Sequence, residues 1–270
     1  MPETGPDQDI LLSEKDAAGV LRLTLNDDKR RNALSEEMLR KLKDAFSAAA
    51  VDASVRVIVL AAKGPVFSSG HNLKEMTAAR EHDDRGRAYF AKILALCSEV
   101  MQGIVACSKP VIAKISGIAT AAGCQLVASC DLAIASETAQ FSTPGVHIGL
   151  FCSTPMVALS RNVSNKHAME MLLTGDMISA ARAAEIGLVN RVARPEELNE
   201  TVLGLAHKIA SKSSLTLATG KRAFYEQREM SLPQAYEYAS NVMVENMLAF
   251  DAEEGIGAFV EKRTPQWRDK

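Results

Sequence analysis

Short apolar segments alternate with polar and amphipathic ones through the first two-thirds of the chain. Leu21, Leu23 and Leu25 alternate with polar residues, which is the period of a half-buried strand. Together with residues 9–14 they predict two short strands joined by a turn. Residues 56–62 (RVIVLAA) are continuously apolar, which predicts a strand covered on both faces.

Helices are predicted between these strands. Ser35 has the side chain of an N-cap and is followed by Glu36 and Glu37, so a helix is expected from there to about Ala50. A second helix is expected at about 84–107. Further predicted elements are strands at 111–115 and 131–135 and a short helix at 123–129. This alternation indicates an α/β fold with parallel strand pairing.

The pattern changes after residue 154 and becomes mostly helical. Predicted helices lie near 154–162, 166–174 and 179–186, a strand near 188–192, and helices almost to the end. Pro195 is expected in the first turn of one helix, and Pro233 in the first turn of another that Ser231 caps. The tail carries an apolar stripe, which packs either on the chain's own core or on a neighbouring subunit. Its members are Tyr236, Val242, Met243, Met247 and Phe250.

Composition narrows the class of protein. The 270 residues include 31 basic and 33 acidic side chains, a net charge of −2, with 47% apolar and 24% charged residues. Disordered chains have fewer apolar residues, and proteins that bind nucleic acid through their overall field are basic. No apolar stretch approaches the ~18 residues of a membrane span, and MPETGPDQDI does not look like a secretory signal. Neither nucleic-acid binding nor membrane insertion is therefore expected.

Cysteine and histidine spacing does not favour disulfides or a metal site. The five cysteines include no CxxC pair, and the five histidines show no HExxH spacing. Reduced, buried thiols are expected. The cysteines are Cys97, Cys107, Cys124, Cys130 and Cys152.

Two loops of small residues follow apolar strands. They are Phe67–Leu73 (FSSGHNL) and Gly117–Cys124 (GIATAAGC), and the second precedes a predicted helix. Small residues let a ligand approach the backbone, and free N–H groups at a helix start attract negative charge. Two such loops side by side would supply two backbone donors to one carbonyl oxygen, an oxyanion hole. The alternative is that both are simple tight turns.

Several motifs resemble the enoyl-CoA hydratase/isomerase (crotonase) superfamily. The resemblance covers about residues 10–267, in order, through FSSGHNLKEM, KPVIAKISGIATAAGCQLVASCDLAIASETAQFSTPGVHIGL, LLTGDMISAARAAEIGLVNRV and AEEGIGAFVEKRTPQW. It implies a crotonase-like spiral of ββα units at 1–200 with the acyl-CoA site. It also implies a helical C-terminal region at 201–270 that builds a homo-trimer, or a hexamer as a dimer of trimers.

The resemblance also implies roles for particular residues. The backbone N–H groups of His71 and Ala122 correspond to the two oxyanion-hole donors of the family. The ligand would be a coenzyme A thioester, and no tightly bound cofactor is expected. Residues expected to contact CoA are Lys29, Arg30, Arg31, Ser69 and Lys74, together with Lys262 from a neighbouring subunit. From spacing alone, Lys29–Arg31 would be interpreted as a solvated turn.

This sequence departs from the family at both catalytic glutamates. Gln125 and Gly145 occupy their positions. Glutamine keeps the shape of glutamate but does not transfer a proton at neutral pH, and glycine has no side chain. Each general acid or base contributes roughly 10²–10⁴-fold, so hydration of enoyl-CoA is expected to be weak or absent.

Other titratable groups near the loops have two interpretations each. The His71 imidazole either moves protons near the thioester or packs under the CoA. His147 either reaches the pocket or has a packing role. The packing role is favoured for both residues. Cys124 and Cys152 are expected to be inert apolar filler.

Three functions therefore remain open. The first is a thioester-processing enzyme of the lyase or isomerase type with atypical acid–base residues, which does not hydrate efficiently. The second is an enoyl-CoA hydratase of low activity. The third is a non-catalytic protein that binds acyl-CoA or a protein partner. The expected location is cytoplasmic, or the mitochondrial matrix if a presequence was removed.

Overall fold

Two β-sheets organise residues 9–270, the part of the chain that the computed structural model describes. The large sheet has the strand order β1-β2-β3-β5-β7-β10, and only β1 and β2 pair antiparallel. Its strands are β1 (Leu11–Lys15), β2 (Val20–Leu25), β3 (Val57–Ala62), β5 (Val111–Ile115), β7 (Leu132–Ser136) and β10 (Arg191–Ala193). The predicted α/β class with parallel pairing is confirmed.

The small sheet has the order β4-β6-β8-β9. Its strands are β4 (Val66–Ser68), β6 (Ile118–Thr120), β8 (Gln140–Ser142) and β9 (Ile178–Ser179). The first three pair in parallel, and β9 joins antiparallel. The prediction that 67–73 and 117–124 are loops was therefore wrong at residues 67–68 and 118–120. A three-residue strand is too short to show a hydrophobic period.

Eleven helices surround the sheets within residues 9–270. They are α1 (Glu36–Val51), α2 (Leu73–Ala79), α3 (Arg87–Ala106), α4 (Ala122–Ser129), α5 (Pro155–Leu159), α6 (Asn165–Thr174), α7 (Ala180–Glu185), α8 (Leu198–Ala210), α9 (Ser214–Gln227), α10 (Leu232–Met247) and α11 (Phe250–Glu261). Short 3₁₀ helices lie at Asp28–Arg30 and Pro144–Ile148.

Two of the three predicted helix starts are confirmed. The Ser35 hydroxyl accepts a hydrogen bond from the Met38 N–H, and Ser231 forms a capping box with Gln234. The third start was wrong by one turn, because α8 begins at Leu198 and Pro195 lies before it. Pro195 instead occupies the turn that follows β10.

The large sheet is covered on both faces, as the apolar run of β3 predicts. Val57 and Val59 pack in a cluster with Val202 of α8, whereas Ile58 and Leu60 belong to the main core with α1 and α3. The face alternation follows from the two-residue period of a strand. The domain boundary expected at residue 200 falls inside α8, whose apolar face packs in the cluster with Val57 and Val59.

Helix α9 is fixed to the core by a partly buried ion pair. Lys221 Nζ lies 2.7 Å from Asp131 Oδ2, and it also donates to the backbone carbonyls of Ile104 and Lys109. The Tyr225 hydroxyl donates to Asp131 Oδ1 at 2.9 Å. These contacts hold the first C-terminal helix against α3, β5 and β7.

The core of the chain does not cover the apolar stripe of its tail. On α10, Tyr236 is 70% exposed, Met243 60% exposed and Met247 50% exposed. Of the two alternatives for this stripe, packing on the chain's own core does not account for these three side chains.

Helix α3 is long and apolar enough to cross a membrane by length and composition alone. Core helices of water-soluble proteins pass the same test. Ile93, Cys97 and Ile104 on one face of α3 are buried, and they pack in the main core against α1. Its hydrophobicity is therefore explained by this packing.

Candidate active site

The two small-residue loops meet at the carboxyl ends of β4 and β6. A Cβ atom added to Gly70 would lie 2.9 Å from Ala121 Cβ and 3.0 Å from the Ala122 nitrogen. Gly70 has φ +83°, a conformation that glycine adopts without strain. The Ala121 N–H donates to the Ser142 carbonyl at 3.0 Å, which brings the end of β8 to the same point.

The backbone around this contact is constrained on all sides. The Gly70 carbonyl accepts a hydrogen bond of 2.8 Å from the Leu34 N–H. Ala121, just before α4, has φ +51° and ψ −121°, a rare conformation for a residue with a Cβ. A Cβ on Gly123 would lie 2.2 Å from the Ser68 carbonyl oxygen, so α4 begins against the backbone of β4. Only glycine fits at that close approach.

Two backbone donors are left free at this junction. The N–H groups of His71 and Ala122 donate to no acceptor within residues 9–270. Ala122 is the first residue of α4, where N–H groups have no partner inside the helix. Both residues flank the contact between the two loops, because His71 follows Gly70 and Ala122 follows Ala121.

The His71 side chain is largely buried beside this junction. Within residues 9–270 the Leu34 carbonyl is the acceptor near the imidazole, but it is not aligned for a regular hydrogen bond with Nδ1 or Nε2. Burial lowers the pKa of the imidazole, outweighing the opposing influence of the Leu34 carbonyl and of Glu75. The ring is therefore neutral at pH 7, with one nitrogen a donor and the other an acceptor.

Gln125 and Thr143 also carry buried polar atoms without partners in the part of the chain described. Gln125 is 5% exposed and its Oε1 is unpaired, and Thr143 is fully buried with Oγ1 unpaired. Sequence reasoning missed Thr143. The signal was its place directly after β8, which went unrecognised because that strand has three residues.

The position that the resemblance assigns to the second family glutamate, Gly145, is closed by its own loop. A Cβ on Gly145 would lie 2.8 Å from the Leu150 carbonyl oxygen and 2.9 Å from Cys152 Sγ. The Gly145 N–H donates to Cys152 Sγ at 3.3 Å. Residues 148–152 thus fold over Gly145, and a longer side chain has no space there.

The other candidate proton carriers are either held in a hydrogen bond with the backbone or are buried thiols with a raised pKa. His147 Nε2 lies 2.8 Å from the Thr174 carbonyl oxygen, which ties it to the end of α6 and supports its packing role. Burial raises the pKa of Cys124 to about 12 and also raises that of Cys152. All five cysteines are free and buried, as expected.

Glu75 of α2 is a nearby carboxylate that the sequence analysis did not single out. Its Oε1 accepts from Asn72 Nδ2, and its Oε2 accepts from the Tyr89 hydroxyl and the Glu36 N–H. Burial, with a further contribution from Glu75, raises the pKa of Tyr89 to about 12. Glu75 therefore joins α1, α2 and α3, and its oxygens are already engaged.

The basic loop lies beside the first small-residue loop. The Ser69 N–H donates to the Arg31 carbonyl at 3.1 Å, and Arg31 itself has φ +56°. Arg30 Nε lies 2.7 Å from Asp27 Oδ2, and this pairing raises the Arg30 pKa. Lys29 and Lys74 have exposed side chains. The structure thus places the basic segment 29–31 beside Ser69, through the contact of Arg31.

Lys262 lies apart from this group in its own chain. It is exposed at the C-terminal end of α11, with φ +55°. The tail after it is anchored by Asp269, which pairs with Arg56 just before β3. A contribution of Lys262 from a neighbouring subunit therefore stays a prediction.

A cavity of about 1020 Å³ adjoins α4 on the Gln125 side. Met101 of α3, Val157 of α5 and Leu215 of α9 line it together with Gln125. Within residues 9–270, no group of three or more His, Cys, Asp or Glu side chains is placed to hold a metal ion. Gln125 is the residue of the junction that lines this cavity, whereas His71, Ala122 and Thr143 do not line it.

Solved structures share this architecture over nearly the whole chain. The crystal structure of an enoyl-CoA hydratase from Mycobacterium smegmatis matches with a TM-score of 0.91 and 49% identity, covering 96% of this chain and 98% of that one. The crystal structure of human enoyl-CoA hydratase domain-containing protein 3 matches with a TM-score of 0.91 and 45% identity, covering 96% and 100%.

Sequence comparison gives the same relationship. The mitochondrial enoyl-CoA hydratase domain-containing protein 3 of Rattus norvegicus is 47% identical over 266 residues, which are 98% of this chain and 86% of that protein. The Homo sapiens protein of that name is 47% identical over 255 residues, 94% and 82% of the two chains. The profile of the Enoyl-CoA hydratase/isomerase family matches residues 15–270. With the fold and both loops in place, this chain belongs to the enoyl-CoA hydratase/isomerase (crotonase) family.

Proposed function

We propose that this protein binds acyl-CoA thioesters and holds the thioester carbonyl oxygen between the N–H groups of His71 and Ala122. The proposal is supported by the contact of Gly70 with Ala121 and Ala122. The unpaired amides belong to His71, which follows Gly70, and to Ala122, which follows Ala121. Two preorganised donors stabilise an oxyanion more than a ground-state carbonyl, because they strengthen as negative charge develops.

The CoA moiety extends over the basic loop. Lys29, Arg30 and Arg31 supply positive charge beside Ser69, and Lys74 adds a further cation at the start of α2. Phosphate groups are favoured by such clusters through charge-assisted hydrogen bonds. In a trimer or a hexamer, Lys262 of a neighbouring copy would contribute as well. The exposed apolar faces of α10 and α11 support that assembly.

Hydration of enoyl-CoA is slow or absent in this proposal. Neither family glutamate is present, and the closed loop over Gly145 leaves no space for a substitute at that position. The carboxylate of Glu75 is engaged elsewhere. The chemistry that remains needs the two amides more than paired acids, such as steps through an enolate or a tetrahedral oxyanion.

A second candidate function is binding of acyl-CoA without catalysis. The engaged Glu75 and the occupied His147 favour it, since they leave His71 as the one neutral base beside the two amides in the described chain. A panel of acyl-CoA thioesters, analysed for products by mass spectrometry, separates the two functions. Turnover of any thioester supports the enzyme, whereas binding without turnover supports the second candidate.

Calorimetry with crotonyl-CoA and acetyl-CoA tests the binding itself. We expect heat release and a raised melting temperature with both. No heat and no thermal shift with either would overturn the proposal. A hydration assay with crotonyl-CoA should give a rate at least ~10³-fold below an ordinary hydratase, because two acid–base groups are lost.

The proposed subcellular location is inferred from the names of related proteins, and not from the geometry of the site. Proteins 47% identical to this chain carry the word mitochondrial in their names. We therefore extend the proposal to the mitochondrial matrix, with the cytoplasm as the alternative. Fractionation of cells with an antibody to the endogenous protein distinguishes them.

A further inference from the structure

A lysine lies in the otherwise apolar strand β5, in the interior of the large sheet. Ile112 on that strand packs in the cluster with Val59 and with Val202 of α8, and Lys114 follows Ile112 by two residues. Because a strand has a two-residue period, Lys114 projects from the same face of the sheet, towards α8. Its side chain is partly buried, so its charge is partly removed from water.

The hydrogen-bond partner of this amine is neutral. Lys114 Nζ donates to Asn199 Oδ1 at 2.8 Å, and Asn199 is exposed in the first turn of α8. This bond lies at the protein surface, so the amine is accessible from solvent. Within residues 9–270, no Asp or Glu carboxylate pairs with Lys114 or stabilises its charge.

A second cation lies on the same face of the sheet. Arg22 is in register with Val59, and Val59 is in register with Ile112, so Arg22 and Lys114 project from one face on neighbouring strands of β3. Arg22 Nη1 lies 3.8 Å from the exposed carboxylate of Glu14, which neutralises it only weakly. Burial, with a contribution from Arg22, lowers the pKa of the Lys114 amine. Both influences disfavour the charged form, so Lys114 is a neutral amine more often than an exposed lysine.

A neutral lysine amine is a nucleophile, and lysines are activated when they are desolvated or lie beside another cation. We propose that Lys114 is an acylation site, at which the amine attacks the carbonyl carbon of an acyl-CoA thioester. The N–C bond forms, the C–S bond breaks, and one proton of the amine passes to the departing thiolate of coenzyme A. The product is a neutral amide, so the positive charge that faces Arg22 is removed. This modification goes beyond the proposed function, because the thioester reaches Lys114 from solution.

Initial rates of acylation by acetyl-CoA test the site in the unaltered protein. Mass spectrometry assigns the acetyl group to individual lysines after digestion with a protease that cleaves at acidic residues. Lys208 is the internal comparison, because it is exposed on α8. We expect Lys114 to be acylated about threefold or more faster than Lys208 at neutral pH. The ratio should fall as the pH rises to about 10.4, where exposed lysines also lose their protons.

Variants of Arg22 connect the rate to the neighbouring charge. Arg22→Gln should slow the acylation of Lys114 about twofold or more and leave Lys208 unchanged. Arg22→Lys is the matched control, because it keeps the positive charge and should keep the rate at Lys114. The melting temperature reports folding of both variants, and the comparison of the two lysines in the unaltered protein needs neither of them.

The outcomes also separate this inference from the proposed function. Acylation of Lys114 that is no faster than acylation of Lys208 overturns the inference. An advantage of the same size in Arg22→Gln and in the unaltered protein overturns it as well. Neither result affects binding of thioesters between His71 and Ala122, and absence of that binding would leave acylation of Lys114 from solution unchanged.

Discussion

The backbone nitrogen of Ala122 lies 3.0 Å from the point that a Cβ of Gly70 would occupy. The two residues are 52 positions apart in the sequence, and their contact brings two small-residue segments into one junction. The residue after Gly70 and the residue at the start of α4 each present an unpaired amide there. The geometry depends on the missing side chain at residue 70.

Gly70→Ala should weaken acyl-CoA binding by more than tenfold and destabilise the fold. The new Cβ would press on Ala122 and Ala121, and the positive φ adds strain, together costing about 1–3 kcal/mol. Calorimetry with acetyl-CoA and urea unfolding measure the two effects. Gly149→Ala is the control, because Gly149 has φ +75° with open space around it. Equal losses of affinity in both variants would contradict the role of the junction.

The buried His71 should make stability fall toward acid pH. Its native pKa is lowered by burial, so the unfolded state binds a proton below about pH 6.5 while the native state does not. Stability is thus lost as the pH falls from about 6.5 toward the lowered native pKa, with a slope of up to about 1.4 kcal/mol per pH unit. His71→Gln should flatten this segment of the melting-temperature profile.

The control for that profile is His82→Gln, since His82 is exposed on the turn after α2. This variant should lose stability toward acid pH to the same extent as the unaltered protein. Identical profiles for His71→Gln and the unaltered protein would mean that His71 titrates in the folded state as it does in the unfolded chain.

Restoring the second family glutamate should fail for steric reasons. Gly145→Ala already places a Cβ 2.8 Å from the Leu150 carbonyl oxygen and should cost about 1–3 kcal/mol of unfolding free energy. Gly145→Glu should disrupt residues 148–152 and lower the melting temperature further. The control Gly103→Ala on α3, which meets nothing within 4 Å, should stabilise by about 0.5–1 kcal/mol. A folded Gln125→Glu, Gly145→Glu double variant with fast hydration would refute this account.

The ion pair under α9 should be important for stability. Lys221→Met leaves the Asp131 carboxylate without its cation in a site where the two side chains are 8% and 16% exposed. Breaking a buried pair costs about 3–5 kcal/mol because an uncompensated charge remains. Lys43→Met, which breaks the exposed pair with Glu99, should have little effect. Equal urea midpoints for the two variants would contradict the role of the pair.

The long periodic elements were accessible to sequence reasoning. The alternation of Leu21, Leu23 and Leu25 gave β2, and the run at 56–62 gave β3, because burial on one or two faces leaves a direct trace in side-chain polarity. Ser35 marked the start of α1 because its hydroxyl satisfies a free N–H of the first turn. Local interactions of this kind act between residues close in sequence.

The candidate site was accessible only in part. Its two loops were visible from their small residues and their position after strands, and the family resemblance assigned His71 and Ala122. Thr143 and the short strand before it were missed, because a strand of three residues has no period and its stability comes from its neighbours. Pro195 was placed inside α8 although the chain forms a turn there first.

By itself, the sequence determined the α/β class, the helical tail and the absence of glutamate at residues 125 and 145, and it predicted reduced cysteines. Each of these features depends only on residue type and on spacing along the chain. Tertiary structure alone decided that Gly70 touches Ala122 and that Leu150 and Cys152 close over Gly145. Those relations join residues far apart along the chain, and packing of the two sheets brings them within contact distance.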